Sequence, residues 1–163
     1  MLSFTLKSAL PAIVALVMGG AMLAPEVARA DVLLTVESSG SQTITYSRED
    51  LAALPRITFS TSTIWTEGVK EFSGVPMKAL LEASGITSGT VRAVAINDYM
   101  VEIPVEALED DAPIIVDMID GKEFSRREKG PLWILYPFDQ SVSYRTEENF
   151  GRSVWQLVRL TQK

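Results

Sequence analysis

From residue 31 onward the chain is dominated by short runs in which apolar and polar side chains alternate. Val32 to Glu37 and Thr43 to Tyr46 alternate on either side of Ser38-Ser39-Gly40-Ser41, which predicts a β-hairpin. Ser47 with Asp50 three residues on is an N-cap signature, opening a short helix to Leu54 that Pro55 stops. Arg56 to Ile64 is β-branched and rich in Thr, a strand leading into a polar loop. Gly74-Val75-Pro76 predicts a helix with Pro near its first turn; Met77, Leu80, Leu81 and Ser84 hold helical spacing until Gly85. Val91 to Ile96 and Tyr99 to Ile103 read as strands around an Asn97-Asp98 turn, and Pro104 precedes a helical turn to Leu108. Glu109-Asp110-Asp111 reads as a solvated loop. Ile114 to Ile119, Asp120-Gly121 and Lys122 to Phe124 form a second hairpin. Leu132 to Tyr136 is a buried strand, Pro137 to Arg152 a long polar and aromatic loop, and Val154 to Leu160 the closing strand. Many short strands with two or three short helices predict an α+β domain dominated by sheet.

The first thirty residues follow a different rule. Lys7 precedes an apolar run from Ala9 to Ala24, and Ala28-Arg29-Ala30 has the small-x-small form of a signal-peptide cleavage site. Pro11 and the Gly19-Gly20 pair interrupt the run, which is shorter than the roughly 20 residues a spanning helix needs. We therefore read residues 1–30 as a secretory signal cleaved between Ala30 and Asp31, and residues 31–163 as a single domain with a periplasmic destination. The net charge of −6 becomes one unit more negative once Lys7, Glu26 and Arg29 leave. Such acidity argues against nucleic acid as a partner.

The chain contains neither Cys nor His. Thiol nucleophiles, Ser-His pairs, imidazole bases and the usual zinc sites are all excluded. No catalytic residue is assigned, and the chemistry left open is that of carboxylates, Lys, Tyr, hydroxyls or a bound group. The stretch Arg126 to Pro137 sets three cations and a Gly-Pro break before an apolar run with two aromatics, placing cations at the rim of a buried strand.

Three pieces of the chain then read together. They are Phe72-Ser73-Gly74-Val75-Pro76-Met77-Lys78-Ala79-Leu80-Leu81, Asn97-Asp98-Tyr99 through Pro104, and Gly130-Pro131-Leu132-Trp133 with Arg152-Ser153-Val154-Trp155. In this order they resemble the molybdopterin-binding domain of the sulfite oxidase family over nearly all of residues 31–163. The resemblance implies a sheet-rich α+β sulfite oxidase-like fold with a few short helices. In that family a Cys from the loop before the first piece ligates molybdenum, and here Ser60 to Trp65 offers only Ser, Thr, Ile and Trp. Lys129 and Trp133 stand where the family has a pterin-contacting His and an Arg. Hydroxyls are harder and far less acidic donors than thiolate, which argues against molybdenum. What the chain most resembles is the group of short periplasmic pterin-binding proteins that lack the metal-ligating Cys. That resemblance implies a pterin ligand and a partner in the periplasmic region of a membrane-bound cyclic-di-GMP signalling enzyme. Two alternatives stand beside it: a molybdopterin-dependent oxidoreductase with a non-Cys ligand, and an interaction domain without ligand.

A pterin presents a 2-amino-4-oxo edge whose paired hydrogens suit a carboxylate, and Asp98 in the hairpin turn beside Tyr99 is the first choice. Its flat face needs an aromatic platform, for which Trp65 in the polar loop is the best placed. Trp133 and Trp155 lie in apolar runs that suit a core, with Trp133 also in the segment matching the family. Arg127, Lys129, Arg145 and Arg152 could meet the carbonyl edge or an anionic tail. Tyr144 lies in the long loop, whose length suggests binding.

Overall fold

The computed structural model describes residues 31–163, so the segment read from sequence as an export signal lies outside the described residues. Two five-stranded sheets make up the domain. In the first, β1 (Leu34–Glu37) pairs antiparallel with β2 (Thr43–Tyr46), closing the predicted hairpin with Thr35 opposite Thr45. The chain's last strand, β10 (Leu157–Gln162), lies parallel to β1 and antiparallel to β5 (Thr90–Ala95), whose hairpin partner β6 (Met100–Pro104) forms the far edge. In the second, β3 (Ile57–Ser62) pairs with β4 (Val69–Pro76), and β4 with β7 (Ile114–Ile119). Beyond β7 lie β8 (Lys122–Glu123) and β9 (Trp133–Leu135), each paired to a different half of it.

The period-two alternation seen in the sequence becomes a division between two hydrophobic clusters. Val75, Ile115 and Ile134 of the second sheet join Leu34, Val36, Val91, Ala93 and Leu160 of the first in an aliphatic cluster between the sheets. Their neighbours along the same strands, Phe72, Ile114, Val116, Trp133 and Leu135, enter a second cluster that is mainly aromatic. Adjacent side chains of a strand point to opposite faces, so both faces of this sheet are covered. That explains why Ile114 to Val116 reads as an unbroken apolar run.

Helix α1 (Arg48–Ala52) starts as predicted: the Ser47 hydroxyl accepts from the Asp50 amide and the Asp50 carboxylate accepts from the Ser47 amide at 2.8 Å. Helix α2 (Met77–Ala83) sends Met77, Leu80 and Leu81 into the aliphatic cluster. The expectation that Gly74-Val75-Pro76 opens this helix is corrected, because these residues end strand β4 and Pro76 is the N-cap. Gly74 faces the β7 backbone at a register shift, where any Cβ would collide with Ile115. The closing strand begins at Leu157 rather than Val154, since Gln156 takes a left-handed φ of 52° and Trp155 only bridges to Trp133. The segment read as a loop from Pro137 to Arg152 holds a 3-10 turn at Val142–Tyr144 and a helix, α3 (Glu147–Arg152).

A candidate ligand site between a hairpin tip and helix α3

The turn joining β5 to β6 projects beside α3, and a cavity of about 270 Å³ opens between them. Its walls are Trp65, Tyr99, Phe150 and Trp155, with Gly151, Ser153, Val154 and Asn97 completing the lining. No lining residue carries a formal charge.

Local chemistry fixes each wall. The Thr63 hydroxyl accepts from the Trp65 amide at 3.0 Å and the Thr66 amide at 2.9 Å, pinning the turn that presents Trp65. Trp65 stands edge-on to Trp133, Trp155 and Phe150, with ring centroids 5.7, 5.8 and 5.9 Å away. Such tilted pairs are worth about 0.5–1.5 kcal/mol each beyond area burial. Thr146 caps α3 by accepting from the Asn149 amide, and Phe150 stacks on Phe138 at 4.6 Å. At the hairpin, Asp98 takes a left-handed φ of 63°, and Asn97 Oδ1 accepts from the Tyr99 amide at 3.3 Å. Tyr99 Oη then reaches across to donate to the Gly151 carbonyl at 2.9 Å. This bond ties the first sheet to α3 at the cavity mouth.

The residues proposed from sequence do not all reach the cavity. Trp65 and Tyr99 line the cavity. Trp133 is fully buried beneath Trp65, with its indole Nε1 buried and without a partner. Asp98, between the lining residues Asn97 and Tyr99, is exposed and outside the wall.

Of the others, Arg152, Tyr144 and Arg145 support the segment that carries α3. Arg152 is 12% exposed and pairs with Glu148 one turn earlier, and burial pushes the hydroxyl pKa of Tyr136 up to about 12 against the opposing pull of the Arg152 guanidinium. Tyr144 Oη donates to Glu109 at 2.6 Å, and burial together with that carboxylate raises its pKa. Arg145 Nε donates to the Phe138 carbonyl at 2.8 Å, and its guanidinium pairs with Asp139. Arg127 is exposed, and Lys129 takes a left-handed φ of 72° while its carbonyl accepts from the Gln156 amide at 3.0 Å. Neither lines the cavity.

Sequence reasoning missed Asn97 and Phe150 as lining residues and read Trp155 as core. Asn97 was hidden because Asn-Asp between two strands already has a turn explanation. Phe150 became visible only with α3.

The donor set where the resemblance places molybdenum does not fit that metal. Thr61 Oγ1 donates to the Ser62 carbonyl and accepts from the Asp139 amide, Ser62 Oγ donates to Asp139, and Thr63 Oγ1 serves its own turn. Among the described residues no three His, Cys, Asp or Glu side chains gather as a metal site. Hydroxyls already committed to local bonds make a poor set for a metal whose counterpart site uses thiolate.

Neither a protein-family model nor a curated protein matches the chain. Among solved structures it is similar to the sulfane dehydrogenase SoxCD from Paracoccus pantotrophus, at 20% identity and a TM-score of 0.60. The likeness covers 79% of this chain and 37% of that one. The domain has the sulfite oxidase-like fold. At this identity the likeness speaks for the fold, and the activity of a protein of which this chain spans only 37% does not follow from it. Among the described residues no helix is long and apolar enough to cross a membrane.

Proposed function

We propose that this protein binds a pterin, without a metal, in the cavity between the β5–β6 turn and α3. The observation that carries this reading is the uncharged lining: four aromatic side chains around about 270 Å³, a volume suited to a flat bicyclic heterocycle. Trp65, Trp155 and Phe150 offer it faces and edges, and Asn97 offers an amide. Trp65, which stands in the stretch where the resemblance places a metal ligand, becomes a wall of the site in this reading.

We further propose that the protein acts in the periplasm as a sensor, passing ligand occupancy to the periplasmic region of a membrane-bound cyclic-di-GMP signalling enzyme. Its support is the export-type segment at residues 1–30 and the sequence resemblance to short periplasmic pterin-binding proteins without the metal-ligating Cys. A sensor needs ligand affinities that differ between two states. The Tyr99–Gly151 bond across the cavity mouth is a contact whose making or breaking a ligand could bias.

The deciding experiment is metal analysis and fluorescence of the full protein purified from the periplasm, followed by titration with pterin. Metal-free protein that retains or binds a blue-fluorescent pterin supports the proposal. Stoichiometric molybdenum overturns it in favour of an oxidoreductase, and failure to bind any pteridine leaves the interaction-domain reading.

A further inference from the structure

We infer that the site reads its ligand through the amide of Asn97, and that its ligands are 4-oxo pteridines whether or not they carry a 2-amino group. The inference rests on the pterin-binding reading above and goes beyond it by naming the chemical edge recognised.

The first observation is the absence of charge from the wall. A carboxylate that could take both hydrogens of a 2-amino pyrimidine edge would dominate recognition, because charge-assisted bidentate pairs are about twice as strong as neutral ones. No Asp or Glu lines this cavity, and Asp98, the nearest in sequence, lies outside it in a left-handed turn. The 2-amino group therefore meets no strong acceptor.

The second observation is the fixed orientation of Asn97. Its Oδ1 accepts from the Tyr99 amide at 3.3 Å, and this bond decides which end of the side-chain amide is free. Nδ2, a donor of two hydrogens, has no protein partner among the described residues, and Asn97 is an exposed residue of the cavity lining, so this donor is open to a ligand. A free amide N–H beside aromatic walls matches a ring carbonyl, and the second lone pair of Oδ1 can accept from the adjacent ring N–H. Together these are the two halves of the lactam at positions 3 and 4 of the pteridine, and that lactam is present with or without the 2-amino group.

The test uses three probes: pterin, lumazine (2,4-dioxopteridine) and 2,4-diaminopteridine, titrated by quenching of tryptophan emission. The wild-type protein should bind pterin and lumazine within about threefold of each other. In Asn97→Asp the carboxylate still accepts from the Tyr99 amide, so the turn is kept while the donor is lost. The affinity ratio of diaminopteridine to lumazine should then rise by about tenfold or more, the size of one unsatisfied polar contact. Asn97→Ala, which adds no charge, should weaken both 4-oxo probes together. Thermal melts of each variant confirm folding. A wild-type preference for pterin over lumazine of tenfold or more, or a ratio unmoved in Asn97→Asp, overturns the Asn97 assignment and leaves the pterin reading intact. Failure of the wild type to bind any of the three overturns that reading itself.

Discussion

The two hydrophobic clusters on either face of the second sheet differ in kind. Between the sheets, Leu34, Leu80, Leu81, Ile115 and Leu160 are sealed and almost wholly aliphatic. On the outer face, Phe59, Phe72, Trp133, Tyr136 and Phe138 are covered only by a turn, a short helix and connecting segments. There Trp65, Phe150 and Trp155 stay part-exposed and surround a cavity. Aliphatic side chains interdigitate to near-crystalline density and leave little room. The part-exposed rings of the other cluster meet edge-on at nearly 6 Å, and the cavity lies among them. One face of a single sheet thus supplies stability while the other supplies a binding surface.

If that division holds, the heaviest loss of stability comes from the sealed side. Leu80→Ala, at a fully buried position of α2, should cost about 2–5 kcal/mol in denaturant unfolding while leaving the pterin affinity of the folded fraction unchanged. A loss of affinity as large as that from a site residue would mean that the two faces are coupled. Next in size is the Arg56–Asp117 pair. Both guanidinium nitrogens donate to the carboxylate, at 3.0 and 2.6 Å, and Asp117 is 2% exposed. Arg56→Ala strands that charge, and because Arg56 is itself a quarter exposed, water relieves part of the penalty. About 2–3 kcal/mol is the expected cost, checked by the same unfolding measurement.

Trp65→Ala should reverse the ranking of the two effects. It removes three edge-on contacts and one tilted contact from a half-buried ring, about 2 kcal/mol in stability, yet pterin affinity should fall tenfold or more in a fluorescence titration. Tyr99→Phe removes only the hydroxyl that ties the hairpin to Gly151. About 0.5–1 kcal/mol of stability should go, with faster ligand release in stopped-flow measurements.

The fold was largely legible because period-two alternation is written into these strands. Leu34 and Val36, or Val91 and Ala93, announce their inner face directly. Strand β4 was not, since Val69-Lys70-Glu71 is polar and its geometry is set by Gly74 meeting the β7 backbone, a long-range contact no local pattern displays. Trp65 was legible as a candidate cavity-wall residue, being a large ring in an otherwise polar turn. Asn97 and Phe150 were not, because each has an ordinary local role and gains another only where the hairpin tip meets α3.

The smallest effect probes the cover of the aromatic face. The Asp139 carboxylate accepts from the Ser62 amide and the Ser62 hydroxyl and pairs with Arg145, tying β3 to the segment that leads to α3. Those contacts, the Ser62 amide foremost, hold its pKa below the usual carboxylate range. A group depressed in the folded state stabilises fully above its unfolded value near 3.9 and loses that contribution as pH falls through the folded value. Acid from roughly pH 4 downward should therefore loosen the aromatic cover. All three Trp residues belong to this cluster, so tryptophan emission reports on it selectively. Emission should change at higher pH than the far-ultraviolet circular dichroism, which follows both sheets, and in Asp139→Asn, which cannot titrate, emission should already be altered at neutral pH and the early acid step should be lost. Coincident transitions in the wild type would show that the two faces, despite their different chemistry, unfold as one cooperative unit.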